Sequence, residues 1–146
     1  LCYIQQNDQT LMLHRVKKEN DIHQDKWNGL GGKFEAGESP EECLLREIKE
    51  ESGLTLLDYR LIGLLTFPNF DGFNDWQVFL YQASDFTGDL IDSHEGKLEW
   101  ISTDKLLELN LWEGDKYFIK WMLEKQFFSA KFNYNNKKLI DYSVKF

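Results

Sequence analysis

Only two of the 146 residues are cysteine, Cys2 and Cys43, and they lie far apart without a Cys-x-x-Cys or Cys/His spacing. No disulfide framework or zinc site is signalled, and both read as reduced core residues. Long apolar runs are also missing. The longest, Leu61-Ile62-Gly63-Leu64-Leu65, is far short of the roughly 20 residues a membrane-spanning helix needs, and no basic-then-apolar signal segment opens the chain. Residue 1 is Leu and strand-like residues follow at once, so a few residues are expected to precede it, in a cytoplasmic protein without membrane partners. Bases are scarce: 17 against 25 acids, a formal charge of −8, which argues against stable binding to duplex nucleic acid. Repeats and low-complexity linkers are absent. So are a phosphate-binding Gly-x-x-x-x-Gly-Lys-Ser/Thr loop and a Gly-x-Ser-x-Gly nucleophile elbow, and Gly29-x-Gly31 has Phe34 where a dinucleotide fingerprint needs glycine.

What remains is a domain-sized chain, 42% hydrophobic and 15% aromatic, rich enough in apolar residues for one core. Residues 1–5 and 11–16 flank a polar turn and read as a hairpin; a polar loop covers 17–26. Trp27-Asn28-Gly29-Leu30-Gly31-Gly32-Lys33 packs three glycines into four positions, a loop whose backbone can approach a ligand closely. Ser39, Pro40 and Glu42 spell a helix start with a capping box, and Gly53 its end. Along that helix Leu44, Leu45 and Ile48 fall on one side, and Glu47, Glu50 and Glu51 share the neighbouring side. From Glu35 to Glu51 there are seven glutamates against Arg46 and Lys49, a net −5. Carboxylates so close repel one another unless hard cations or a guanidinium such as Arg46 compensate them, and magnesium is the natural partner for an all-oxygen set. Arg46 suits a forked bond that pins a carboxylate, and Glu38 a bracing role. Lys33 can meet phosphate oxygens; Arg15 reads rather as an exposed surface base. His14, His23 and His94 have no partner spacing and read as surface or packing residues. A strand is expected over Leu98–Ile101, an amphipathic helix carrying Tyr117, Phe118, Trp121 and Met122, and two C-terminal strands around a turn at residues 133–137.

From Gly32 the chain reads Gly32, five residues, Glu38, seven residues, then Arg46-Glu47-Ile48-x-Glu50-Glu51-x-Gly53-Leu54. This resembles the Nudix box at all nine of its fixed positions in the 23 residues from 32 to 54. The resemblance implies an α/β fold, an α/β/α sandwich around a mixed sheet, as a single Nudix domain over 1–146. It also implies hydrolysis of a nucleoside diphosphate linked to another group, on magnesium with manganese as a substitute. The implied metal ligands are Glu47, Glu50 and Glu51, with the carbonyl of Gly31. Glu95 occupies the place of a further ligand or base, or is a solvated loop acid.

The likeness extends to the MutT-like branch that hydrolyses oxidised purine nucleoside triphosphates. Trp27-Asn28-Gly29-x-Gly31-Gly32-Lys33, Trp112-x-x-Asp115-x-Tyr117 and Leu139-x-Asp141-Tyr142 are similar to that branch. It implies Asn28 hydrogen-bonding the base, Trp112 stacking on it and Asp115 reading its edge, although Asp115 equally suits a helix cap. Gly114 stands where the branch carries another aspartate. The implied substrate is 8-oxo-dGTP or a related small nucleotide, in nucleotide-pool sanitation that spares DNA from mutation. Dinucleoside polyphosphates, nucleotide sugars, RNA 5′ ends, and a non-hydrolysing nucleotide sensor are the alternatives, and monomer and homodimer stay open.

Overall fold

A computed structural model describes residues 1–146. The chain divides into two compact units built from interleaved stretches.

The first unit holds Leu1–Arg60 and Tyr81–Asn110. Its strands are β1 (Cys2–Gln6), β2 (Gln9–His14), β3 (Trp27–Asn28) and β6 (Lys97–Ser102), with parts of β4 (Thr55–Phe67) and β5 (Trp76–Thr87). Asn7 and Asp8, with φ of 52° and 60°, make the tight β1–β2 turn, and β2 ends at His14, short of the expected Val16. β1 pairs antiparallel with β2 and parallel with β5, while β2 also carries β3 and β6. Held on both edges, Cys2, Tyr3 and Ile4 are all fully buried, so this strand shows no apolar/polar alternation. Burial pushes the Cys2 thiol up to about 12, consistent with a reduced core residue. A 3-10 helix covers Thr103–Glu108.

The site-bearing helix, α1 (Pro40–Ser52), forms as its caps dictate. Ser39 Oγ accepts the Glu42 N–H at 3.1 Å, and Glu42 Oε1 accepts the Ser39 N–H at 3.2 Å. At the other end Gly53 takes φ 82°, and its N–H donates to the Lys49 carbonyl at 3.0 Å. Cys43, Leu44 and Ile48 are buried. Leu45 is not: it is 36% exposed, correcting its place on the apolar side. A residue following Leu44 by one lies about 100° around the helix, at the rim of the buried stripe.

The second unit holds Leu61–Leu80 and Leu111–Phe146. Gly63–Thr66 of β4 pair in parallel with β7 (Phe128–Asn135), and β7 pairs antiparallel with β8 (Lys138–Lys145). The turn between them is Asn136-Lys137, both at positive φ, so it is tighter than the expected 133–137. Helix α2 (Glu113–Leu123) buries Phe118, Ile119, Trp121 and Met122, with Phe118 and Trp121 against Phe132 and Phe128. Tyr117 stays 39% exposed. With parallel and antiparallel pairings in both units, the sheet is mixed, as expected. No helix is long and apolar enough to cross a membrane.

Candidate active site

The Arg46 guanidinium organises the acidic face of α1. Its Nε and Nη2 fork onto Glu38 at 2.7 and 2.8 Å, and Nη1 reaches Glu47 at 2.7 Å and Glu50 at 3.3 Å. Nη2 also donates to the Lys33 carbonyl at 3.0 Å, tying the glycine-rich loop to the helix. Glu38 further accepts the Glu35 N–H at 2.7 Å. Arg46 chiefly, and that N–H, hold the Glu38 carboxyl down at about 2, while the same carboxylates push Arg46 up.

The loop itself is fastened to β1: Cys2 and Leu30 exchange two backbone hydrogen bonds, at 2.6 and 2.9 Å. Gly29 is required by close approach to backbone, and Gly32 lies against the end of a side chain. A Cβ on Gly29 would lie 2.7 Å from the Cys2 carbonyl, and one on Gly32 would fall 2.2–2.5 Å from the Glu47 carboxyl. Gly31, at φ 153°, offers its N–H to both carboxyl oxygens of Glu51 at 3.4 Å.

Glu51 is the unusual member of this group. It is 7% exposed, and its carboxyl is pushed up to about 8 by burial above all, with Glu47 and Glu95 adding to the rise against the Gly31 N–H and Arg15. Such a carboxyl becomes an anion at neutral pH only beside added positive charge. As the side chains stand, no three acidic, histidine or cysteine groups gather as metal ligands, and Arg46 bonds the carboxylates of Glu47 and Glu50. The acidic groups that act on Glu51, Glu47 and Glu95, offer only oxygen, the donor a hard divalent cation prefers, so the chemistry of these side chains fits such an ion.

Glu95 lies before β6 and pairs with Lys18 at 2.7 Å and with Arg15 at 3.8 Å. Arg15 corrects the sequence reading. Its side chain is only 17% exposed and is bonded to Asp21 at 2.9 Å, so it is a paired, inward base. His23 is half-buried, and burial pulls its imidazole down to about 4; His14 stacks on Trp27 with centroids 4.2 Å apart and bonds Asp25. Lys33 is exposed. Asn28, half-buried in β3, pairs with Leu13 of β2. All of these residues belong to the first unit.

Trp112 and Asp115 belong to the second unit and are 5% and 8% exposed. The N-cap of α2 is Trp112, with no side-chain cap bond, so the reading of Asp115 as the helix cap does not hold; it lies in the first turn instead. Around Trp112 stand two rings that sequence reasoning missed. Phe70 meets it edge-on at 5.1 Å, and Tyr134 at 5.6 Å. Gly114 is explained by the same cluster, since a Cβ there would lie 2.7 Å from the Tyr134 hydroxyl and 2.8 Å from Phe132. No local signal marks Phe70 or Tyr134, which reach Trp112 only through the folding of distant strands.

Comparison with known proteins identifies the family. The NUDIX domain family matches residues 1–122. An uncharacterized Nudix hydrolase of Bacillus subtilis, YvcI, is 31% identical over 129 residues, covering 86% of this chain and 78% of its own. The oxidized purine nucleoside triphosphate hydrolase of Danio rerio is 32% identical over 115 residues, 79% of this chain and 74% of that protein. The crystal structure of the mutator MutT protein from Bacillus halodurans superposes with a TM-score of 0.88 at 33% identity, over 99% of this chain and 94% of that one.

Proposed function

This chain belongs to the Nudix family as a MutT-like Nudix hydrolase, and from that premise we propose that it hydrolyses 8-oxo-dGTP or a related oxidised purine deoxynucleoside triphosphate to the monophosphate and pyrophosphate. The observation that carries the reading is the buried Glu51 carboxyl at Gly31, beside the Arg46-held Glu47, on a complete Nudix box. The similarity to the zebrafish hydrolase supports the purine substrate. Nudix hydrolases in general use divalent metal ions and act on small nucleotides. Magnesium, or manganese in its place, would be held by Glu47, Glu50 and Glu51 with the Gly31 carbonyl, and would supply charge neutralisation for the crowded phosphate oxygens.

The chain's own residues do the rest. Water adds across one P–O–P bond, one proton passes to a carboxylate of the cluster, and pyrophosphate leaves; no side-chain nucleophile is needed. Arg46 holds Glu47 and Glu38 in place by its fork. Glu95, now engaged by Lys18, is the further ligand or base, and Lys33 meets phosphate oxygens. Asn28 and Asp115 address the base, and Trp112 stacks on it. The domain extends to Phe146, and a role on the nucleotide pool places the enzyme in the cytoplasm, sparing DNA from mutation. The test is a turnover screen over oxidised and normal triphosphates, dinucleoside polyphosphates, nucleotide sugars and RNA 5′ ends, with product identification. Pyrophosphate and 8-oxo-dGMP are expected; a sugar phosphate, a second nucleotide or intact nucleotide overturns the reading.

A further inference from the structure

The rings of the second unit surround one polar group. Tyr134 stands edge-on to Trp112 (5.6 Å, 85°) and to Phe70 (5.4 Å, 86°), and Phe70 is edge-on to Trp112 (5.1 Å, 66°). Rings so inclined pack edge to face and make an apolar surround for the Tyr134 hydroxyl. The Tyr134 hydroxyl accepts the Gly114 N–H at 2.7 Å, the one hydrogen bond it makes. It is the acceptor in that bond, so its own proton is left for an acceptor outside the protein. Accepting from an amide also polarises the O–H and fixes where it points. Gly114 is the condition for this arrangement, since any Cβ would push the hydroxyl away. Burial, chiefly, and the nearby Asp115 keep the phenol protonated, so it stays a neutral donor.

We propose that Tyr134 is a specificity-determining residue, donating its hydroxyl hydrogen bond to a carbonyl oxygen on the purine edge, so that the enzyme favours oxo-purines over purines lacking that carbonyl. This rests on the oxidised-purine reading above and names a residue that sets it. A purine offers two such oxygens: O6 of guanine and the O8 added by oxidation. Two nucleotide pairs separate them. Comparing dGMP with 2-aminopurine deoxyribonucleoside monophosphate removes O6, and comparing 8-oxo-dGMP with dGMP adds O8.

The experiment titrates these monophosphates against wild type and Tyr134→Phe, by tryptophan fluorescence with magnesium present. In wild type, affinity falls about tenfold when the addressed carbonyl is removed, as for one neutral hydrogen bond. In Tyr134→Phe that gap closes, while affinity for the nucleotide lacking the carbonyl is little changed. Gaps that persist in Tyr134→Phe, or an equal loss for every nucleotide, overturn the proposal. The variant strands the Gly114 N–H and can lose stability, but the wild-type arm stands alone: equal affinities within both pairs overturn the proposal without any mutation. Turnover of 8-oxo-dGTP with flat gaps sinks only the role of Tyr134. Failure to release pyrophosphate from any purine triphosphate sinks the functional reading as well.

Discussion

Glu51 is a carboxyl held where its charge is least favoured. A side chain that is neutral without taking up a proton on folding should therefore stabilise the metal-free protein at neutral pH while abolishing its chemistry. Glu51→Gln is expected to raise the melting temperature in EDTA and to cut turnover by orders of magnitude; near-normal turnover would remove Glu51 from the site. The pH dependence follows from the same group. Its folded value, about 8, lies above the roughly 4.3 of an unfolded glutamate. Its stabilising effect is thus complete below about pH 4.3 and is lost as pH rises through 8. His23 acts in the opposite sense: held at about 4, below its ordinary 6.5, it supports folding above pH 6.5 and loses that support as pH falls through 4. Thermal melts in EDTA from pH 5 to 8.5 should show the alkaline decline in wild type and a flatter limb in Glu51→Gln. Identical limbs would contradict the burial argument. Asn28→Ala should narrow the kcat/KM preference for 8-oxo-dGTP over dGTP about tenfold, since an unpaired polar group is what discriminates; an equal loss on both substrates removes Asn28 from base reading.

At the scale of elements, α1 positions every box acid, and its ends are what fix it. Ser39→Ala deletes the cap and should cost about 1 kcal/mol. On the two neighbouring leucines the effects should part: Leu44→Ala about 2–5 kcal/mol, Leu45→Ala within about 0.5 kcal/mol, both read by urea unfolding. Similar losses at both positions would mean that Leu45 is covered. The caps, the glutamate face and the Arg46 fork were legible in the sequence because they are local, set by spacings of three to eight residues. Leu45 was misplaced because periodicity marks a stripe without its rim. Arg15 was misread because its partners, Asp21 and Glu95, come from a loop and from the bend before β6, 80 positions away. Phe70 and Tyr134 were invisible for the same reason: only the strand pairings of β4 and β7 make them neighbours of Trp112.

Across the whole molecule, a surface of net charge −8 repels polyphosphate, so the acidic cluster can serve a triphosphate only when cations are drawn into it. Two linked effects are expected. Magnesium should raise the melting temperature of wild type in proportion to the logarithm of its concentration above Kd, and should do so far less in Glu51→Gln. Turnover should likewise vanish in EDTA and return with magnesium or manganese. The most direct measurement of the account is the reaction itself: 8-oxo-dGTP and dGTP, each with wild-type protein and magnesium, products separated and quantified. 8-oxo-dGMP and pyrophosphate are expected in equal amounts, with a higher kcat/KM than for dGTP. Release of inorganic phosphate with a diphosphate nucleotide, or equal kcat/KM for the two triphosphates, would contradict it.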